Sequence, residues 1–142
     1  MTRIAFHFNV PDKLGYACRL LRKAHAAGER VGVVGPPDVL AALDSQLWSF
    51  SALDFVPHCA AGAPPAMLAV TPIVLADRCA RLPDAGVLVH LGDPVPEGFE
   101  RFERLIELVA TDDADRGHAR LRWRHYAERG YDIQRHDLAA KE

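Results

Sequence analysis

Short apolar runs and helix-period segments take turns along this whole chain, and that alternation decides its fold class. Residues 3–8 alternate and are rich in β-formers, which predicts a first strand. Pro11-Asp12 opens a helix in which Leu14, Cys18, Leu21 and Ala24-His25 recur at helical spacing up to Gly28. A short apolar run over 30–34 is closed by Gly35-Pro36-Pro37, and Asp38 is placed to cap a helix carrying Val39, Leu40, Leu43 and Leu47-Trp48. Residues 49–65 are turn-rich, with a candidate strand at 55–58. The apolar runs at 69–75 and 86–91 predict buried strands, with a helical turn at 77–82 between them. A helix over 99–104 and a last strand over 105–109 follow. An Arg-rich helix then runs over 112–129 and stops at Gly130. Strand–helix alternation throughout predicts one α/β domain over residues 1–133, with a mostly parallel sheet flanked by helices. Residues 134–142 read as a polar C-terminal tail without fixed structure.

Several function classes find no support. The 142 residues carry a net charge of −2, so bulk charge gives no reason to expect nucleic-acid binding. No apolar run approaches membrane-spanning length. The start is too short and polar for a signal peptide. Cys18, Cys59 and Cys79 are an odd, scattered set, which fits reduced thiols in a cytoplasmic protein. The turn after the first strand, Phe8-Asn9-Val10-Pro11-Asp12, lacks the glycines of a dinucleotide fingerprint. The turn after the second strand has Gly32 and Gly35, but Pro36 and Pro37 lack the N–H donors of a phosphate cradle. It reads as an ordinary strand-to-helix turn, with no functional nucleotide-binding loop and no implied cofactor. The seven histidines are scattered, with no His-x-x-x-His or Cys-x-x-Cys spacing for a metal. Asp112, Asp113 and Asp115 suit a helix N-terminus rather than a calcium loop. No nucleophile motif points to a catalytic residue.

The Arg-rich helix is the main candidate site. Arg116, Arg120 and Trp123 stand at i, i+4 and i+7, so a helix stacks them in one stripe, with Arg124 beside it. Guanidinium groups form forked contacts with carboxylate or phosphate. The stripe therefore reads as a docking surface for something anionic with an apolar end, or as a plain solvated face. Trp123 stands at the border with an apolar stripe of Ala119 and Tyr126, where it can equally serve as a core residue. Arg122 falls away from the stripe and is expected to make an intramolecular contact.

A second segment sharpens the choice. Leu43-Asp44-Ser45-Gln46-Leu47-Trp48, then Phe55-Val56-Pro57-His58, then Ala61-Gly62, resembles the Leu-Asp-x-x-Leu-Trp … Phe-x-Pro-His-x-x-Ala-Gly signature of the chi subunit of bacterial DNA polymerase III. The first strand, the Cys18 helix, Gly28 to Val31, Val87 to Leu91 and Ala119 to Tyr131 resemble that family in the same order. The resemblance implies a Rossmann-like fold without nucleotide chemistry, in a non-catalytic accessory subunit of the clamp-loader complex. It implies two partners: the psi subunit and the acidic, phenylalanine-ended C-terminal tail of single-stranded DNA-binding protein. Carried over residue by residue, the tail pocket falls on Val109, Arg116, Arg120 and Trp123. Arg116 stands where lysine is frequent and Trp123 where tyrosine is frequent. The psi surface falls on Phe55 and Trp48, for which core packing is the competing reading. A repair helicase could use the same surface in place of psi. Ala63 replaces a frequent acidic residue, and the chain after Ile133 matches poorly. From the residues alone, a small nucleotide-binding α/β enzyme remains the alternative function.

Overall fold

Three four-residue strands, Val31–Val34, Ile73–Ala76 and Val87–His90, are buried at every position. Continuous burial of this kind belongs to the centre of a parallel sheet covered on both faces. The computed structural model describes residues 1–49 and 55–140. Residues 50–54 of the turn-rich segment and residues 141–142 of the expected tail lie outside the described residues.

Among the described residues seven strands form one sheet. They are β1 (Arg3–Val10), β2 (Val31–Val34), β3 (His58–Ala60), β4 (Ile73–Ala76), β5 (Val87–His90), β6 (Arg104–Ala110) and β7 (Ile133–Asp137). Their order is β3-β4-β2-β5-β6-β1-β7, and the pairs are parallel. Four α-helices among the described residues cover the sheet: α1 (Lys13–Ala26), α2 (Pro37–Ser49), α3 (Pro65–Val70) and α4 (Asp113–Glu128). This is the expected single Rossmann-like α/β domain. No helix among the described residues is long and apolar enough to cross a membrane.

The two sheet faces bury separate cores. Leu21 of α1 and Leu43 and Leu47 of α2 pack over Val33, Leu75, Val89, Ile106 and Leu108. On the other face Ala119 and Tyr126 of α4 pack with Ile4, Phe6, Leu88, Phe99, Leu105 and Val109. Two helices start on an aspartate cap. Asp12 accepts the Gly15 N–H at 3.1 Å to cap α1, and Asp112 accepts the Asp115 N–H at 3.1 Å to cap α4. Asp38 lies inside the first turn of α2 rather than at its cap. Gly130 ends α4 with φ +78°, a conformation open to glycine at no steric cost.

The structure departs from the sequence expectations at four further places. The run over 69–75 splits into α3 and β4 at Thr71-Pro72, because proline disfavours helical geometry at the residue before it. The strand expected at 55–58 sits later, at His58–Ala60. The helix expected at 99–104 is a single 3-10 turn, Phe99–Arg101. β6 is also not the last strand. The segment expected as an unstructured tail supplies β7, paired with β1 through Ile4–Ile133, Phe6–Arg135 and Phe8–Asp137. An edge strand pairs on one side only and carries charged residues readily, so its hydropathy gives little sign of it.

Candidate functional site

α4 reaches the sheet with an Arg-rich sequence because one of its arginines is buried. Arg122 is 1% exposed and Glu107 of β6 is fully buried beneath it. Arg122 Nε donates to Glu107 Oε1 at 3.0 Å, and Nη1 donates to the Asp93 carbonyl at 2.8 Å. The Tyr126 hydroxyl donates to Glu107 Oε2 at 2.6 Å, and His90 Nδ1 stands 2.7 Å from Oε1. Burial alone would push the Glu107 carboxyl up. The charges of His90 and Arg122, with hydrogen bonds from His90 and Tyr126, outweigh it and hold the group below the usual carboxylate range. Burial and the Glu107 charge push Tyr126 far up, so its hydroxyl stays a donor. This buried cluster ties α4 to β5 and β6. The expectation that Arg122 leaves the exposed stripe for an internal contact is met.

A second tie holds the start of α4. Asp115 Oδ2 accepts the Ala110 N–H at 2.7 Å and faces Lys13 Nζ of α1 at 3.1 Å. Burial raises Asp115, but the Ala110 hydrogen bond and the Lys13 charge more than offset that and lower it.

With Arg122 and Tyr126 turned inward, Arg116, Arg120, Trp123 and Arg124 face a groove of about 610 Å³. Val109 and Ala119 are buried in its floor beside Phe6. Phe8 and Asn9 from β1, Ala127 from α4 and Arg135 from β7 complete the lining. The four residues assigned by resemblance, Val109, Arg116, Arg120 and Trp123, thus come together in one place. Trp123 is half-buried, with its indole 5.2 Å from the Phe6 ring at 57°. Its two readings, core and surface, are both realised. Arg116, Arg120 and Arg124 are exposed, and none is in an ion pair among the described residues. Unpaired cations above an aromatic floor suit an anion that carries an apolar group.

Sequence reasoning missed Phe6, Phe8 and Arg135 as groove residues. Phe6 and Phe8 read only as strand positions, and Arg135 fell in the expected tail. The signal available was the alternation Ile133-x-Arg135-x-Asp137, too polar to register as a strand by itself.

Trp48 and Phe55 lie outside this groove. They are 61% and 60% exposed, so the core-packing reading fails for both. Their rings are 5.4 Å apart, and the Trp48 ring is 5.1 Å from that of His58. His58 is buried between Asp44 and the Val56 carbonyl, at 2.9 and 2.8 Å, which fixes the base of this aromatic pair.

A second depression, over the α1 side of β1 and β7, is lined by Arg3, Lys23, Glu29 and Arg104 among others. Arg104 there is paired with Glu29 at 3.1 Å, so it offers less uncompensated charge than the α4 groove. Gly32, which lies within β2 and not in the turn expected after it, and Gly35, which follows β2, both have packing roles. A Cβ on Gly32 would stand 2.8 Å from Leu82 Cδ1, and one on Gly35 would stand 3.1 Å from Leu91 Cβ.

A sequence profile of the family described as "DNA polymerase III chi subunit, HolC" matches residues 1–134. The chain is also similar to the DNA polymerase III subunit chi of Pseudomonas aeruginosa strain PAO1. The two are 33% identical over 144 aligned residues, covering 97% of this chain and 98% of that relative. Together with the parallel sheet and its covering helices, these matches place the chain in the DNA polymerase III chi subunit family, whose members are accessory replication subunits.

Proposed function

We propose that the chain is a non-catalytic adaptor that links the clamp-loader complex to single-stranded DNA-binding protein in the cytoplasm. It does so by binding that protein's acidic C-terminal tail in the groove between α4 and β7. The observation that carries this reading is the convergence of Arg116, Arg120, Trp123 and Val109 on one groove, with the arginines outside any ion pair among the described residues. The dimensions also suit it. Arg116 to Arg124 spans about 12 Å of α4 at 1.5 Å per residue. An extended peptide covers that length in about four residues. Arg120 takes the terminal carboxylate, Arg116 supports the acidic side chains, and Val109 and Trp123 hold the phenyl ring.

The test is titration of the full chain with an acidic peptide ending in Pro-Phe at low salt. Removing one charge-assisted contact costs about 1.5–3 kcal/mol, so Arg120→Ala should weaken binding about 10- to 100-fold. The affinity of the unmodified protein should fall as salt rises. Equal affinity for the two proteins at low salt would refute the proposal.

The exposed Trp48–Phe55 pair supports a second contact surface, separate from the groove. We assign to it the psi subunit of the clamp loader, or a repair helicase that takes psi's place. Two neighbouring exposed aromatics at one surface are the kind of anchor that partner interfaces bury.

A further inference from the structure

We propose that Arg135 is a further cation of the groove, and that it grips a ligand's terminal carboxylate from the wall opposite α4. The inference rests on the tail-binding reading and adds to it a second residue, on the edge strand, for the carboxylate that reading gives to Arg120.

Register and packing carry the argument. β7 runs beside β1 with Arg135 opposite Phe6, and the neighbouring Ile133 packs into the same core as Phe6. Side chains two apart on a strand share a face, so Arg135 stands on the α4 side of the sheet. Its guanidinium carbon lies 5.5 Å from the Phe8 ring centroid and 5.8 Å from that of Trp123. Two π faces therefore hold the charge at the aromatic slot instead of leaving it to swing in solvent. No ion pair with Arg135 occurs among the described residues. The slot is thus flanked by cations on two walls, Arg116 and Arg120 from the helix and Arg135 from the edge strand.

A C-terminal aromatic residue carries its carboxylate within a few bonds of its ring. With the ring on Val109 and Trp123, that carboxylate falls between Arg120 and Arg135. An internal aromatic residue offers a peptide carbonyl at the same point and leaves both cations unanswered. Arg135 is therefore a specificity-determining residue that reads the free chain end.

The experiment is fluorescence anisotropy with an acidic peptide ending in Pro-Phe, as the free acid and as the C-terminal amide. Unmodified protein, Arg135→Ala, Arg135→Gln and Arg120→Ala are compared. Both Arg135 variants should bind the free acid about tenfold more weakly, the usual size for one charge-assisted contact. Amidation should cost the unmodified protein heavily and cost the Arg135 variants about fivefold less or better, because they have already lost one carboxylate partner. Arg135→Gln keeps the side chain's length and excludes a simple loss of bulk as the cause. An unchanged affinity, or an amidation penalty equal to that of the unmodified protein, overturns the role of Arg135. In that event a loss on Arg120→Ala still leaves the tail reading standing. If the unmodified protein binds no better than Arg120→Ala, the tail reading and this inference fall together.

Discussion

Replacing Glu107 with glutamine should destabilise the protein far more than its near-identical shape suggests. The Glu107 side chain is 0% exposed and that of Arg122 is 1% exposed, so solvent does not screen their pairing. Glu107→Gln leaves the Arg122 cation in place without its countercharge. Leaving one partner of a buried pair uncompensated costs about 3–5 kcal/mol. At about 3 °C per kcal/mol for a chain of this size, a loss of about 4 kcal/mol lowers Tm by about 12 °C. Tyr126→Phe removes only the 2.6 Å hydrogen bond to Oε2. It should cost about 1.5–3 kcal/mol, or roughly 4–9 °C. Differential scanning calorimetry on the three proteins at neutral pH measures both shifts. A Tm drop under about 3 °C for Glu107→Gln, or a drop smaller than that of Tyr126→Phe, would refute the charged cluster as the anchor of α4.

Acid should act through the same carboxyl and through Asp115. Both are held below the usual carboxylate range, so they bind protons more weakly folded than unfolded. Their contribution is complete above the unfolded value of about 4 and is lost as pH falls through the lower folded values. Tm should therefore hold down to about pH 5 and drop below about pH 4, and the drop should be shallower in Glu107→Gln; equal slopes would count against Glu107. At the other surface, Trp48→Ala and Phe55→Ala should each shift stability by about 0.5 kcal/mol or less, since both side chains are mostly exposed. Co-expression with a psi subunit should nonetheless recover less complex from each variant, and full recovery by both would remove them from that interface.

The order of elements was legible because buried parallel strands and amphipathic helices leave strong periodic signals. β2, β5 and β6 and the helix starts at Asp12 and Asp112 follow directly from them. β7 was not legible, since Gln134, Arg135 and His136 are exposed and pairing with β1 supplies what hydropathy lacks. The groove divides in the same way. Its α4 wall reads from i, i+4 and i+7 spacing, which is local. Its β7 wall depends on a long-range pairing between residues 128 or more apart, as in the 2.8 Å hydrogen bond that Asn9 Nδ2 donates to Asp137. The buried partner of Arg122 was equally out of reach. Helical geometry says that Arg122 points elsewhere, but only the fold brings Glu107, His90 and Tyr126 to meet it.

That division explains why one helix can carry so many arginines without being a uniform basic face. At about 100° per residue, Ala119, Arg122 and Tyr126 cluster on one side of α4, while Trp123, Arg116, Arg120 and Arg124 cluster about 110° away. The first set meets the sheet and the second meets the groove. An apolar contact alone tolerates rotation of a helix about its axis, because dispersion has no direction. Hydrogen bonds weaken steeply once misaligned, and here two helix residues bond to a single fixed carboxylate. Rotation by one residue would carry Trp123 off the Phe6 ring and move Arg120 away from Val109. The buried charge that costs desolvation on one side of α4 thus sets the angle at which the other side presents its cations. In this protein the anchoring arginine and the groove-facing arginines belong to one geometric device.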